Sequence, residues 1–397
     1  MPRRYPFRLL PLVVALAVPL GCGSSRIAER PFDALPPADH VPGATWRRLD
    51  PAAAGWDADR LERARRLWAD NSGTSAVMVV QRGAVVAAWG DVTERNTTRS
   101  IRKSLLSSLI GMAVAEGQLR LDATLAELGI DDRTPLTAEE KRATLADLLA
   151  SRSGVYIPAA RENAGHRRRR PARGSHPAGT FFYYNNWDFN VLGAVYAREV
   201  EPGIGGEFAR RVASPLAMED FRPQDFELRP EEISPIPAYD FAMSARDLAR
   251  YGLLWARRGR WGDRQLIDPG WVERSTRPVT PDTFAGSAYG WLWWVQPPGT
   301  SETVPEGCFY AEGGSHLWVL PARDLVIVHH NRSNLMLLRR KLGLLPDEER
   351  IWEVFRALIA AAPAGTARSA GEVVPAERPE VGGAAVAPGE PHAPARL

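Results

Sequence analysis

Residues 99–117 read RSIRKSLLSSLIGMAVAEG, and this stretch decides how the rest of the chain is interpreted. It predicts a helix from Ser100 to Glu116 that ends at Gly117, because glycine is favoured just past a helix C-terminus. Apolar side chains occupy nearly every side of this helix, which predicts that it is buried. Ser100 and Lys103 stand three residues apart, so they share one helix face and the amine can reach the hydroxyl.

This pair predicts nucleophilic chemistry. The exposed N–H groups and positive potential at a helix N-terminus favour an attacking alkoxide and the oxyanion that follows. Burial lowers the pKa of a lysine, so that a neutral amine can accept the serine proton. The chain contains only three lysines, Lys103, Lys141 and Lys341, which makes a lysine motif hard to produce by chance. We therefore predict a serine hydrolase with Ser100 as nucleophile and Lys103 as base.

Composition and motif content narrow the function classes. The formal net charge of +3 provides no global field for nucleic acid, so no nucleic-acid partner is predicted. The sequence lacks a cysteine and histidine cluster with zinc spacing, a Gly-x-Ser-x-Gly elbow, a P-loop and a dinucleotide fingerprint. We therefore predict neither a metal nor a cofactor.

The N-terminus predicts export. Arginines precede an apolar stretch from Leu9 to Leu20 that is too short to span a membrane, so residues 1–21 are predicted to be a signal peptide. The following Leu20-Gly21-Cys22 resembles a bacterial lipoprotein signal, in which Cys22 would carry the lipid. A plain secretory signal stays open as an alternative. The expected location is the periplasmic side of a bacterial membrane, reached through the N-terminal lipid, or outside the cell.

The remaining chain divides by composition and periodicity. Residues 22–45 are predicted to be a tether, 363–397 a disordered tail, 46–118 with 236–362 an α/β domain, and 119–235 a helical subdomain. Helices are predicted at 57–70, 144–150, 189–198, 244–257 and 348–361, and strands at 75–80, 84–89, 288–295, 308–311, 315–320 and 325–330. Strands thus lie at both ends of the body, which predicts an α/β (α+β) fold containing a helical insertion.

Several separated segments resemble the penicillin-recognising serine hydrolases, in particular their class C β-lactamase-like branch. The resemblance covers roughly residues 45–359 and rests on residues 99–104, 143–155, 177–186, 241–252 and 289–294. It implies a β-lactamase/transpeptidase-like fold, with an antiparallel sheet flanked by helices and a mainly helical inserted subdomain.

The segment GTFFYYNN at 179–186 is similar to the family's Tyr-x-Asn motif. The resemblance implies that Tyr184 moves the proton near Ser100, and that Asn186 binds substrate or orients the lysine. Tyr183 and Asn185 are one-residue register alternatives. A tyrosine next to a cationic lysine is expected to have its phenolate favoured, so that it can relay protons at neutral pH.

The family's third motif, Lys/His-Thr-Gly, corresponds here to Glu312-Gly313-Gly314-Ser315. The resemblance implies that the Ser315 and Ser100 amides form an oxyanion hole, while the glycines allow close approach of substrate. Glu312 departs from the pattern, since it replaces a residue that helps to hold a substrate carboxylate in β-lactamases. An acidic group repels that carboxylate, which favours a substrate that is neutral at this point.

The resulting prediction is a hydrolase for a small-molecule ester or amide, or a peptide, acting through an acyl-enzyme. One alternative is a D-Ala-D-Ala carboxypeptidase or β-lactamase. Another is a non-catalytic envelope binding or scaffold relative that keeps the fold. The basic run at 166–173 is predicted to be a solvated loop. The alternative is that one of its arginines binds the substrate in place of the missing cationic residue of the third motif. The sequence indicates no oligomeric state.

Overall fold

The described part of the chain comprises residues 27–71, 73–283, 286–331 and 348–364 of a computed structural model, all within one compact unit. Its strands are β1 (Ile27–Phe32), β2 (Trp46–Leu49), β3 (Thr74–Gln81), β4 (Ala84–Gly90), β5 (Asn96–Thr97), β6 (Phe226–Glu231), β7 (Ser234–Met243), β8 (Arg260–Trp261), β9 (Arg264–Gln265), β10 (Ala288–Tyr289), β11 (Trp294–Gln296), β12 (Cys308–Glu312), β13 (His316–Leu320) and β14 (Leu325–Asn331). Its helices are α1 (Ala58–Ala69), α2 (Ile101–Ala115), α3 (Leu145–Leu149), α4 (Ala164–Arg169), α5 (Asn186–Glu199), α6 (Ile204–Phe208), α7 (Ala245–Ala256), α8 (Pro269–Thr276) and α9 (Glu348–Ala361).

The main sheet contains nine strands in the order β1-β2-β4-β3-β14-β13-β12-β11-β10. Strands from the two ends of the body meet where β3 pairs with β14, as the order of strands and helices predicts. The pairs β1–β2 and β2–β4 are parallel, and the other neighbours are antiparallel. The expected antiparallel sheet is therefore extended at one edge by parallel pairs, which makes it a mixed sheet.

Helices cover both faces of this sheet. Adjacent residues on a strand point to opposite faces of the sheet. In β13, Leu317 therefore points to one face and Trp318 to the other, and a different helix packs against each of them. A Cβ on Gly252 of α7 would come within 2.8 Å of the Leu317 side chain, so this glycine lets the helix approach the sheet closely. On the other face, Trp318 stacks on Phe355 of α9 at a ring separation of 4.7 Å.

Helix α2 runs through the interior of the molecule, as its apolar composition predicts. Every residue from Ile101 to Ala113 is buried. Gly111 makes room for the Trp271 ring, since a Cβ there would lie 2.6 Å from it. A helix packed on all sides holds its first turn in a fixed position, and Ser100 is the residue at its N-cap.

The region predicted to be helical ends in an unpredicted β-hairpin. Strands β6 and β7 pair with each other, and β7 also pairs with β5, which directly precedes α2. The sequence of these two strands contains three prolines, Pro230, Pro235 and Pro237. Because proline cannot donate a backbone hydrogen bond to a neighbouring strand, a segment that contains it is rarely predicted to be a strand. The hairpin matters for the site because it fixes the entry of the chain into α2.

The prediction of a single strand over 288–295 is wrong, because the chain forms a tight turn within this segment. Strands β10 and β11 form an antiparallel pair in which Tyr289 lies opposite Trp294. The turn between them includes Leu292 at φ 65° and Gly290, where a Cβ would lie 2.2 Å from the Ser275 carbonyl oxygen. The aromatic composition of this segment hides the turn from a pattern-based prediction.

Part of the predicted tether, residues 22–45, is bound to the body. Strand β1 pairs with β2, and the carbonyls of residues 42–44 accept hydrogen bonds from Arg250, whose side chain has an exposed fraction of 0%. The Gly43 carbonyl oxygen lies 2.9 Å from Arg250 Nη2. A buried guanidinium needs acceptors, and these backbone carbonyls supply them. The tether prediction is therefore wrong for residues 27–45.

The predicted signal peptide (1–21), Cys22 and all but two residues of the predicted tail (363–397) lie outside the described residues. Within the described ranges, no helix combines the length and the hydropathy needed to cross a membrane. The division into an α/β domain and a subdomain over 119–235 stays a prediction.

Candidate active site

Ser100 lies at a sharp turn from β5 into α2. Arg99 has a φ of 49°, in the left-handed region that non-glycine residues rarely occupy. The amide of Thr98 donates to the Phe241 carbonyl of β7 at 2.8 Å, which holds the chain just before the turn. The Ser100 hydroxyl makes no capping bond to α2, unlike the hydroxyl of Ser244 at the start of α7. Its oxygen is therefore available for chemistry.

Lys103 places its amine between two hydroxyl groups. Lys103 Nζ lies 2.8 Å from Ser100 Oγ and 2.8 Å from the Tyr184 hydroxyl oxygen. The three-residue spacing in α2 accounts for the first contact, and the loop before α5 supplies the second. A nucleophile, a base and a second proton carrier thus form one connected group.

The surroundings of Lys103 favour its neutral form. The residue is 1% exposed, and its amine lies over the rings of Tyr184 and Phe189 at 4.2 and 4.4 Å. Burial, reinforced by the positive charge of Arg102, holds the pKa of Lys103 well below its usual value, while Glu312 acts in the opposite direction. Among the described residues, Lys103 forms no ion pair with a carboxylate. A neutral amine beside a serine hydroxyl is a competent general base.

Tyr184 is enclosed by aromatic side chains. Its ring stacks on Trp294 at 5.2 Å and meets Phe189 at 5.0 Å and Tyr289 at 5.8 Å. Burial raises the pKa of Tyr184, and a hydrogen bond with Ser100 only partly opposes this effect. The expectation that its phenolate is favoured is therefore wrong: burial favours the uncharged phenol of Tyr184, which can pass a proton, and it also disfavours the charge on Lys103 that would stabilise a phenolate.

The register alternatives to this assignment have other contacts. Tyr183 donates its hydroxyl hydrogen to the His166 carbonyl at 2.9 Å. Asn185 caps α5 by accepting from the Trp187 amide at 3.0 Å and donates to the Val155 carbonyl at 2.8 Å. The same cap makes α5 begin at Asn186, three residues before the predicted start.

Asn186 follows Tyr184 by two residues, and its side chain makes no hydrogen bond to Lys103. Its side-chain amide donates to the Arg161 carbonyl at 2.8 Å. Its Oδ1 atom is buried and accepts no hydrogen bond within the described residues. An unpaired buried acceptor is costly, so a donor on a substrate would stabilise it, whereas the predicted contact that orients the lysine is not formed.

The turn that joins β12 to β13 brings the third predicted segment against Ser100. A Cβ on Gly313 would lie 2.5 Å from the Ser100 nitrogen, so only glycine permits this approach. Asn331 holds the turn, with its side-chain amide donating to the Gly314 carbonyl and its backbone amide donating to Ser315 Oγ at 3.1 Å. Within the described residues, neither the Ser100 nor the Ser315 amide donates a hydrogen bond. Both amides are therefore free to donate, as the donors of an oxyanion hole must be.

A cleft of about 540 Å³ opens beside Tyr184. Aromatic and polar side chains line it, namely Arg152, Arg169, Thr180, Phe181, Phe182, Tyr183, Tyr184, Thr280, Pro281, Asp282 and Thr283. A volume of this size accepts a small organic molecule. Within the described residues, no group of three or more histidine, cysteine or acidic side chains is arranged to hold a metal ion.

Part of the basic run reaches this region. Arg169 lines the cleft, whereas Arg170 pairs with Glu162 and Arg173 pairs with Glu140 at 2.7 Å. The His166 ring lies 5.7 Å from the Tyr184 ring, and burial, aided by nearby positive charge, lowers the pKa of His166 to about 3. The run is therefore divided between structural ion pairs and the rim of the site.

Two residues of the site were missed from the sequence. Arg102 is buried next to the lysine, where it donates to Asn190 Oδ1 at 3.3 Å and lies over the Tyr239 ring at 4.5 Å. A charged residue inside a helix that is apolar on all sides was the signal that could have identified it. The second is Trp294, whose ring stacks on that of Tyr184. The two residues are far apart in the sequence, so no local sequence pattern predicts their contact.

Comparisons with known proteins identify the family of the chain and agree with its fold. A family model described as Beta-lactamase matches residues 62–336. Similar solved structures include a penicillin-binding protein homologue from Caulobacter crescentus (15% identity, covering 78% of this chain and 99% of that chain, TM-score 0.55). A second homologue, from Pyrococcus abyssi, has 18% identity, coverage of 74% and 79%, and a TM-score of 0.52. A class C beta-lactamase has 12% identity, coverage of 77% and 96%, and a TM-score of 0.55. No curated protein sequence matches the chain.

Proposed function

The chain belongs to the beta-lactamase family, and we propose that it is a serine hydrolase that cleaves an ester or amide through an acyl-enzyme on Ser100. The observation that carries this proposal is the position of Lys103 Nζ, 2.8 Å from both Ser100 Oγ and the Tyr184 hydroxyl. A buried lysine without a carboxylate partner is costly to maintain. Its role as a base explains why it is present.

The reaction proceeds in two halves. Lys103 takes the Ser100 proton as Oγ bonds to the substrate carbonyl carbon, and the carbonyl oxygen becomes an oxyanion held by the Ser100 and Ser315 amides. The carbonyl re-forms as the alcohol or amine leaves, protonated by the Lys103 ammonium through the Tyr184 hydroxyl. Water then attacks the acyl-enzyme, giving its proton to the same pair, and Ser100 recovers its hydrogen as the acid is released.

Glu312 favours an ester or amide over a β-lactam or a D-Ala-D-Ala peptide. Both of the latter carry a carboxylate, which a nearby carboxylate side chain repels. The Glu312 side chain is 28% exposed and therefore accessible to a ligand. The alternative of a non-catalytic envelope protein has less support, because it gives no reason for the contacts of Lys103.

Covalent labelling tests the proposal. We expect a fluorophosphonate probe to add one equivalent to the native chain and none to Ser100→Ala, as measured by intact mass. Ser107→Ala is the matched control, because Ser107 is a buried serine on the same helix whose hydroxyl contacts Trp271 rather than the site. Equal labelling of native chain and Ser100→Ala, or no labelling of either, overturns the assignment. Rates on p-nitrophenyl esters, nitrocefin and a D-Ala-D-Ala peptide then separate the hydrolase classes.

Export and lipid attachment at Cys22 are part of the same proposal and are supported by the sequence of residues 1–22. The expected result in a bacterial host is incorporation of labelled palmitate into the native chain and none into Cys22→Ser. Secretion of an unlabelled native chain would instead support a plain signal peptide.

A further inference from the structure

Glu312 is the last residue of β12, and it stands next to the point where the β12–β13 turn meets the nucleophile. The following residue, Gly313, is the one whose added Cβ would lie 2.5 Å from the Ser100 nitrogen. The carboxylate is also close enough to act on both proton carriers, since it raises the pKa of Lys103 and the pKa of Tyr184. A substrate carbonyl seated at Ser100 therefore brings its neighbouring groups within reach of Glu312.

The Glu312 carboxylate has no cationic partner of its own in the described part of the chain. Its nearest basic atom is His316 Nε2 at 3.7 Å, beyond hydrogen-bond distance, and both nitrogens of that buried ring lack a hydrogen bond within the described residues. Glu312 and His316 face each other across the strand pair.

Three other carboxylates that are shielded from water form ion pairs with arginines. Glu219 pairs with Arg246 at 2.7 Å, Asp324 pairs with Arg257 at 2.9 Å, and Glu306 pairs with Arg323. A carboxylate that is largely removed from water needs a charge partner or hydrogen bonds. Among the described residues, Glu312 lacks such a partner, and it lies beside the nucleophile, where a substrate would bind.

We propose that Glu312 binds a cationic group, an alkylammonium or a guanidinium, on the substrate. The inference rests on the proposed function and specifies its substrate class: a cation-bearing ester or amide. A single charge pair in a partly shielded site corresponds to about a tenfold preference, or about 1.4 kcal/mol, over a neutral substrate of the same shape. The preference should reverse when the charge at position 312 is reversed.

A substitution at Glu312 also affects the base, and the experiment must separate the two effects. Removing the carboxylate lowers the pKa of Lys103 further, which changes the rate for every substrate. The ratio of kcat/KM for a charged ester to kcat/KM for its neutral isostere, measured with one enzyme at one pH, cancels that common change. This ratio is therefore the readout.

The test uses two trios of esters of equal length, each with a cationic, a neutral and an anionic member. The charge is carried on the acyl chain in one trio and on the alcohol in the other, and each rate is divided by the rate with hydroxide. The enzymes are the full chain, Glu312→Gln, Glu312→Lys and the matched control Glu232→Gln. Glu232 is an exposed carboxylate in the turn between β6 and β7.

In at least one trio, we expect the native chain and Glu232→Gln to prefer the cationic ester about tenfold. Glu312→Gln should lose this preference whatever its absolute rate on the neutral ester, and Glu312→Lys should prefer the anionic ester. Equal ratios in all four enzymes overturn the inference. A loss of rate that is the same for every ester, together with a lower Tm, in Glu312→Gln also overturns it, because this result indicates a structural pair with His316. Fluorophosphonate labelling of the same samples separates this failure from failure of the proposed function, because labelling of Ser100 does not depend on a charge preference.

Discussion

The amine nitrogen of Lys103 lies 2.8 Å from the hydroxyl oxygen of Tyr184, although the two residues are 81 positions apart in the sequence. The contact joins the buried helix α2 to the loop before α5 and completes a path for protons that starts at Ser100. Burial disfavours charge on both groups, so it favours an uncharged amine and an uncharged phenol along this path. This arrangement can accept a proton from the nucleophile and deliver it to a leaving group.

Tyr184→Phe should lower kcat for a p-nitrophenyl ester by about 10²–10³-fold with little change in KM, because the variant keeps the ring but removes a proton carrier. Tyr183→Phe is the control, since its hydroxyl donates to the His166 carbonyl and does not contact the lysine. Single-turnover acylation rates measure the effect. A similar loss in both variants would mean that the tyrosines act through packing.

The rate on a neutral ester should rise with pH through a midpoint well below 10.5, the usual pKa of a lysine, as the Lys103 amine loses its proton. The pKa of His166 is about 3, so that ring is already neutral over this limb. Glu312→Gln should move the midpoint to lower pH, because the carboxylate raises the pKa of Lys103. The measurement is kcat/KM from pH 5 to 10, and a midpoint that moves to higher pH in the variant would contradict the account.

Gly313→Ala should abolish most of the activity, because the added Cβ would lie 2.5 Å from the Ser100 nitrogen and 2.6 Å from the Thr98 carbonyl oxygen. The turn must then move away from the nucleophile, with a loss of stability of about 1–3 kcal/mol. Gly43→Ala is the control, since a Cβ at that position meets no atom within 4 Å. Urea unfolding and ester hydrolysis measure the two effects, and a fully active Gly313→Ala would exclude this close approach.

A chain that begins at residue 46 should be less stable than one that begins at residue 27. The shorter chain lacks β1 and the carbonyls of residues 42–44, which leaves Arg250 buried with fewer acceptors. Loss of hydrogen bonds to a charged group costs about 1.5–3 kcal/mol, which urea unfolding would detect. Equal midpoints for the two chains would restore the tether interpretation of residues 27–45.

Sequence reasoning succeeded where the geometry is local. The period of an α-helix places Lys103 one turn from Ser100, and the apolar sides of α2 predict its burial. The helix predicted over 244–257 is confirmed on the same local grounds, and Ser244 at its start accepts from the Asp247 amide at 3.2 Å. The assignment of Tyr184 needed the family resemblance, because no spacing rule connects residues so far apart.

The errors came from contacts between distant segments. The direction of the Tyr184 pKa depends on burial against Trp294 and Tyr289, which lie far from Tyr184 in the sequence. A Pro- and Ala-rich composition predicts a tether, yet the acceptors required by Arg250, more than 200 residues away, bind it to the body. Both outcomes follow from tertiary packing rather than from local propensity.

The most direct test of the central claim is to trap the acyl-enzyme. The native chain is mixed with a p-nitrophenyl ester, quenched in acid within the first turnover, digested with pepsin and examined by mass spectrometry, with Lys103→Met treated in parallel. We expect one acyl group on the peptide that contains Ser100, formed at least about 10²-fold more slowly in Lys103→Met. An acyl group on another residue, or equal rates in the two chains, would contradict it.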